Sequence, residues 1–562
     1  MDRTLLKRTF TSQKNHLVII SFSILILSLV VSLLFPIYFR EDDTLYLEYA
    51  YNNYDNLLSA FSPQKAILAD MHRPMQNITW WLLFNIFGLN PFAYQVFCTF
   101  LYSLSFILFF KFLKLVFNKQ IAFLSVISYI AIFYKLGYII FWFSDLSYII
   151  ELFFINLSLY LIIKAIQIDK QYIWGVISYI LGILSKEPAA LIVPLGVLGY
   201  LITDWKNLYG KKDKRLRMAI YLCIFGIIYL LLNPCIKYRV GINPHSDISQ
   251  MIDFFMYRWF MYNDYLFSGL GILIWITVIF ITIKCLFNSQ AFIRRNTFFL
   301  ILSGSVIISI LLKVYTEWAL AVLFLCLFIL TIKRHRTLIG IMWLAFSLLG
   351  IMTITTIVRT LLIEASFGIV IVVGVAVNDI IDHFKVEWKQ CSEKVKRVFN
   401  VFIGFILICG TILFGVFFFN KYIKVLYMVS ANRQNFKNAI QYMMESFHKD
   451  PSFVFIINYE MMGFKKEDIL YLPNQEKAQR QKTMNRDDLR RMFYLLKNEN
   501  IRVINLGDFL GNELPEESYL LIMNNYENDF IKNLSIQKEL IFKTDKYGER
   551  AFIYRFLSNE SE

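Results

Sequence analysis

Cysteine is scarce, with seven residues in 562 and none beyond residue 420. That leaves no disulfide framework for the C-terminal part. His-x-x-x-His and Cys-x-x-Cys pairs are absent, which argues against a dedicated zinc site. A Gly-rich phosphate loop, a dinucleotide fingerprint and a nucleophile elbow are also missing, so nothing points to nucleotide chemistry or to a serine hydrolase. There is no repeat of 20–50 residues and no long low-complexity stretch. The first apolar run, near 17–37, lacks a small-residue cleavage site and is longer than a signal-peptide core, so a retained span is expected.

What the chain has in abundance is apolar surface. Hydrophobic residues make up 57% and the mean hydropathy is +0.52, which excludes a soluble globular protein and indicates a polytopic membrane protein. Windows of apolar residues predict about thirteen spans, near 17–37, 94–116, 121–140, 148–167, 171–184, 188–202, 218–234, 266–286, 297–313, 317–332, 337–357, 366–381 and 400–419. Basic clusters such as Lys211-Lys212-Asp213-Lys214-Arg215, Arg294-Arg295 and Lys333-Arg334-His335-Arg336 then fall on one side. By the positive-inside rule that side, with the N-terminus, is cytoplasmic. The net charge of +15 sits almost wholly in this membrane part, because residues 421–562 hold about 21 basic against 20 acidic residues. The charge is therefore a topology signal, and no nucleic-acid partner is implied. An odd number of spans puts residues 421–562 outside. A helical pattern near 431–448, another near 487–498 and strand-like runs at 453–458, 501–505, 519–523, 539–542 and 551–554 make that part an α/β domain.

Ionisable residues recur on the predicted outer side. Arg40-Glu41-Asp42-Asp43 opens a first outer loop, 38–93, that also holds His72-Arg73-Pro74. Asp145 follows Phe141-Trp142-Phe143-Ser144, Ser185-Lys186-Glu187-Pro188 separates two apolar runs, and Arg359 with Glu364 lies between later spans. Lys237, Arg239, His245 and Arg258 add to a further outer loop. Charges this close to hydrocarbon are costly unless paired or functional. Adjacent carboxylates raise each other's pKa, which suits a general base or a metal site. Lys186-Glu187-Pro188 reads equally as a helix-end pair in a tight turn, since Pro suits a first helical turn.

Asp42-Asp43-x-x-Tyr46 resembles the Asp-[Asp/Glu]-x-x-Tyr signature of the GT-C glycosyltransferases. His72-Arg73-Pro74-Met75 and Phe87-Gly88-Leu89-Asn90-Pro91-Phe92-Ala93-Tyr94 are similar to a pattern of their protein O-mannosyltransferase-like branch. Trp142-x-Ser144 and Ser185-Lys186-Glu187 continue the order, strongest over about 38–200. Where that branch often has His, Asn and His at the start of the second span, this chain has Gln95, Cys98 and Tyr102. The resemblance implies an α-helical polytopic membrane protein with a GT-C-like domain over 1–420 and an extracytoplasmic α/β domain over 421–562. Its place is a bacterial plasma membrane.

The resemblance also implies an activity. A sugar passes from a polyprenyl-phosphate donor to an acceptor hydroxyl with inversion, on a protein, a lipid or a cell-wall glycan. Asp42 matches the catalytic base, with Asp43 beside it. The leaving phosphate needs positive charge more than a strong acid, and Arg73, Lys186 and Arg359 are the candidates. Asp145, His72 and Glu187 would orient the acceptor or a metal. No cofactor is required, though a divalent cation on Asp42, Asp43 and a phosphate stays open. Three other readings remain: a polymerase or ligase of lipid-linked glycans, a polysaccharide or lipid transporter, and a receptor or assembly scaffold carrying residues 421–562 as a binding module. Most predicted span interiors are uncharged, which favours an enzyme at the interface over a transporter.

Overall fold

The structure is a computed structural model. It describes residues 25–39 except 27, 42–52, 56–62, 73–136, 143–168, 172–203, 212–233, parts of 339–347, most of 366–378, residues 424–446 and five strands between 454 and 556. The expected spans near 266–286, 297–313, 317–332 and 400–419, and the helix near 487–498, lie outside the described residues.

The described helices are α1 (Asp42–Asn52), α2 (Pro74–Phe87), α3 (Pro91–Val116), α4 (Lys119–Leu136), α5 (Leu146–Ile168), α6 (Ile173–Ser185), α7 (Ala189–Thr203) and α8 (Lys212–Leu232). They continue with α9 (Ser366–Val375) and α10 (Lys424–Ser446). Among the described residues, three stretches are long and apolar enough to cross a membrane, namely α3, α5 and Arg215–Leu232 within α8. α6, α7 and α9 are shorter apolar helices. Two helices stand where the sequence reads as loop, since α1 and α2 both fall inside 38–93. α2 is apolar (Trp80-Trp81-Leu82-Leu83-Phe84) but too short to span, so a window tuned to membrane crossing passes over it.

The Gly88–Tyr94 motif is the turn that reverses α2 into α3. Gly88 closes α2 at φ 56° and ψ −132°, with its N–H donating to the Phe84 carbonyl, a conformation open essentially to glycine alone. Asn90 caps α3 by accepting from the Phe92 N–H at 3.2 Å, and Pro91 takes the first helical position. The Tyr94 hydroxyl reaches back to the Gly88 carbonyl at 3.0 Å. Gly88→Ala is expected to lower stability by about 1–3 kcal/mol from backbone strain. Thermal unfolding of the detergent-solubilised chain measures this, and an unchanged midpoint would contradict it.

Polar bonds fix how the helices pack. Asn156 on α5 donates to Ser105 Oγ on α3 at 2.9 Å, and the Tyr102 and Tyr129 hydroxyls of α3 and α4 meet at 3.0 Å. Tyr179 on α6 donates to the carbonyls of Ala190 on α7 and Leu222 on α8, at 2.9 and 3.0 Å. Ser158 on α5 bonds the Gly175 carbonyl at 2.8 Å. A Cβ on Gly175 would run into Ile162, so glycine lets α6 lie directly against α5. Gln95 donates to the Phe35 carbonyl at 2.7 Å, and Cys98 is buried. The positions that depart from the motif are thus used here for packing.

The C-terminal strands are β1 (Val454–Ile457), β2 (Arg502–Asn505), β3 (Ser518–Met523), β4 (Lys538–Lys546) and β5 (Glu549–Phe556). They form one mixed sheet in the order β2-β1-β3-β5-β4, with β1 parallel to β2 and β3, and β5 antiparallel to β3 and β4. Each strand overlaps a run expected from the sequence. α10 packs on this sheet through buried Ala439, Ile440 and Met443, with Ile553 on β5, and the Tyr442 hydroxyl donates to the Ile541 carbonyl at 3.3 Å.

Candidate active site

Asp42 is the first residue of α1, and its side chain lies outside the described residues. His72 and Arg359 also lie outside them, as do Arg40, Glu41, Trp142, Glu364 and the 235–265 loop. Asp43 is fully buried. Its Oδ2 accepts from Arg433 Nη1 on α10 at 2.7 Å, and the same nitrogen donates to the Tyr38 carbonyl at 2.8 Å. One turn earlier on α10, Ser430 Oγ donates to the Pro36 carbonyl at 2.6 Å. α10 therefore grips the acidic motif together with the chain that leads into it. A buried carboxylate needs such a partner, because an isolated charge out of water is strongly disfavoured. With a guanidinium on its carboxylate, Asp43 does not fit a divalent cation. No group of three His, Cys, Asp or Glu side chains suited to a metal occurs among the described residues.

A second cluster forms where α2, α5 and the α6–α7 turn meet. Arg73, capping α2, places Nη2 3.6 Å from Glu187 Oε2 and donates from Nη1 to Ser147 Oγ at 3.3 Å. Its Nε is buried and has no hydrogen-bond partner among the described residues. Burial works against the Arg73 charge, but Glu187, then Tyr46, Tyr148 and Glu151, outweigh it and hold the guanidinium above its ordinary pKa. Arg73 therefore stays charged at any working pH. Lys186, at the end of α6, is 2% exposed. Its Nζ lies 3.8 Å from Glu151 Oε2 and 3.3 Å from the centre of the Tyr148 ring, an ion pair and a cation–π contact together. Glu151 also accepts from the Ala189 N–H at 2.8 Å, capping the start of α7 with a carboxylate. The tight turn expected from Lys186-Glu187-Pro188 is present, and its residues also carry the cluster.

Tyr46 joins the two groups. It stands four residues after Asp42 and three after Asp43, on the same side of α1. Its ring stacks on Trp80 of α2 at 5.3 Å, and it contributes to the field on Arg73. Trp80, Tyr94, Phe39 and Phe143 continue the aromatic packing, with centroids 5.0–5.8 Å apart. Phe143 and Asp145 belong to a 3-10 turn that packs against α1, with Asp145 half-buried. Of the residues singled out from the sequence, the structure thus gathers Arg73, Lys186 and Glu187 directly, and Asp43 and Asp145 along α1. Glu151, Tyr148 and Arg433 are additions. Glu151 had one signal available, as a lone carboxylate in the apolar run 148–167.

Residues 71–231 match the family model of dolichyl-phosphate-mannose-protein mannosyltransferases. No curated protein matches the chain. Among solved structures the chain is similar to the crystal structure of ArnT from Cupriavidus metallidurans bound to undecaprenyl phosphate. The identity is 9%, the TM-score is 0.41, and the alignment covers 97% of this chain and 99% of that one. The apo form of the same protein aligns with 9% identity and a TM-score of 0.40, covering 96% and 98% of the two chains. The family match bears out the resemblance read from the motifs, and on it the chain is a glycosyltransferase. With its apolar helices, it is an integral membrane protein.

Proposed function

We propose that the protein transfers a sugar from a polyprenyl-phosphate carrier to an acceptor hydroxyl at the outer face of a bacterial plasma membrane, inverting the anomeric centre. The N-terminus is cytoplasmic, residues 1–420 form a membrane domain of about thirteen spans, and 421–562 form an extracytoplasmic α/β domain. The observation that carries this reading is the convergence of Arg73 and Lys186, from segments far apart in sequence, on one cluster with Glu187, Tyr148 and Glu151, with Arg73 also in the field of Tyr46 on the helix that begins at Asp42. Both cations lie within the stretch that matches the mannosyltransferase family, whose described donor is itself a polyprenyl-phosphate sugar.

The chemistry follows from charge. Asp42 takes the proton of the acceptor hydroxyl as its oxygen attacks the anomeric carbon. The bond from that carbon to the phosphate oxygen breaks, and the phosphate leaves with an added negative charge. Arg73 and Lys186, with Arg359, stabilise that charge as it develops. The Arg73 Nε, which has no partner among the described residues, suits a phosphate oxygen. Glu187 and Glu151 compensate the two cations before the donor binds. Asp145, beside α1, and His72 orient the acceptor.

Undecaprenyl phosphate is the probe for the phosphate site. When it is titrated against the full chain in lipid nanodiscs, Arg73→Met and Lys186→Met should each weaken binding about tenfold or more, the loss of one charge-assisted bond. Wild-type affinity in both variants would remove these two residues from the donor site.

A further inference from the structure

We infer that Arg433 is a positioning residue for the transfer reaction and that, through it, α10 is part of the catalytic unit. The inference rests on the proposed transferase reading. Asp42 and Asp43 are consecutive, so what anchors Asp43 sets where Asp42 stands at the head of α1. Asp43 is anchored by a guanidinium 390 positions away in sequence. The same Nη1 holds the Tyr38 carbonyl, so the chain entering α1 and the first turn of α1 are pinned to one atom. Ser430 fixes Pro36 from the same face of α10. At its other end α10 is packed on β3, β4 and β5. The acidic motif is therefore held from outside the segment that matches the mannosyltransferase family, by the element that carries the C-terminal sheet.

A clamp of this kind acts on rate. Binding of the lipid phosphate uses Arg73 and Lys186, which do not touch α10 in any described contact. The position of the base relative to the anomeric carbon depends on α1, and misplacement by about 1 Å costs on the order of 10²-fold in turnover. A merely structural ion pair would instead lower the amount of folded protein and leave each remaining molecule fully active.

The test expresses the full chain in cells lacking their own copy and follows consumption of the endogenous polyprenyl-phosphate sugar in isolated membranes by mass spectrometry. Arg433→Gln is expected to lower kcat about 10²-fold while the apparent KM for the lipid donor stays within about threefold. Arg433→Lys, which keeps a cation but loses the planar fork, should recover a substantial part of that rate. Lys437→Gln, removing a positive charge one turn further along α10, should behave as wild type. Wild-type turnover per molecule in Arg433→Gln would overturn the positioning role and leave the transferase reading intact. If Arg433→Gln does not accumulate, Arg433→Lys decides: a kcat severalfold below wild type at unchanged KM supports the positioning role, and wild-type kcat at reduced abundance would make the ion pair structural only. Wild-type membranes that consume no polyprenyl-phosphate sugar would overturn the transferase reading, and this role with it.

Discussion

Asp42→Asn should abolish glycosyl transfer, by about 10³-fold or more, while the protein accumulates in the membrane at wild-type level. The amide is nearly isosteric but cannot take the proton of the incoming hydroxyl, and general-base catalysis contributes typically 10²–10⁴-fold. Asp43→Asn should behave differently. Asp43 is fully buried against Arg433, so its loss strands a buried guanidinium and lowers stability as well as rate. Turnover and thermal midpoint measured side by side separate the two acids. Near-normal turnover in Asp42→Asn would remove it from the base role, and a thermal midpoint in Asp43→Asn equal to wild type would remove Asp43 from the clamp.

The second large effect is expected at Glu151. It is fully buried on α5, faces Lys186 across 3.8 Å and caps α7 through the Ala189 N–H. Glu151→Leu takes away both functions. Breaking a buried ion pair from one side typically destabilises by about 3–5 kcal/mol, because the remaining charge has been removed from water without compensation. Glu151→Gln keeps an acceptor for the Ala189 N–H and should lose less. Combining Glu151→Leu with Lys186→Met should restore much of the stability, since the charge that was stranded is gone. It should not restore transfer, because the phosphate has lost a cation. Chemical or thermal unfolding of the four proteins gives the coupling energy, and additive losses would show that the two side chains do not interact.

These pairings mark how far the sequence could be read. Local signals were legible. The Lys186-Glu187-Pro188 turn and the C-terminal strands each follow from side chains within a few positions of one another. Arg73 and Lys186 stand out in the sequence because they sit at helix ends, where a charge meets apolar neighbours, and the structure brings them into one cluster. α2 escaped because a 14-residue apolar helix is shorter than a span and was absorbed into the loop around it. Glu151 escaped because a single carboxylate hardly alters the hydropathy of a 23-residue apolar helix. Arg433 left no local trace. On α10 it is one basic residue in a polar helix, and its partner lies near the other end of the chain. Long-range pairing of this kind follows from packing, which periodicity and composition do not encode.

The described contacts also bear on the division of the chain. α10 is bonded to Pro36, Tyr38 and Asp43 at one end and packed on the sheet at the other, so the acidic motif and the C-terminal strands share a helix. A C-terminal part acting as an independent binding module would have no use for a buried ion pair to the first turn of α1.

Lipid extracts from cells with and without the chain, compared by mass spectrometry, test the central claim most directly. Transfer from a polyprenyl-phosphate sugar predicts that this donor accumulates when the chain is absent and returns to its basal level when the wild-type chain, but not Asp42→Asn, is restored. A polyprenyl-phosphate sugar pool that is the same in all of these cells would contradict it.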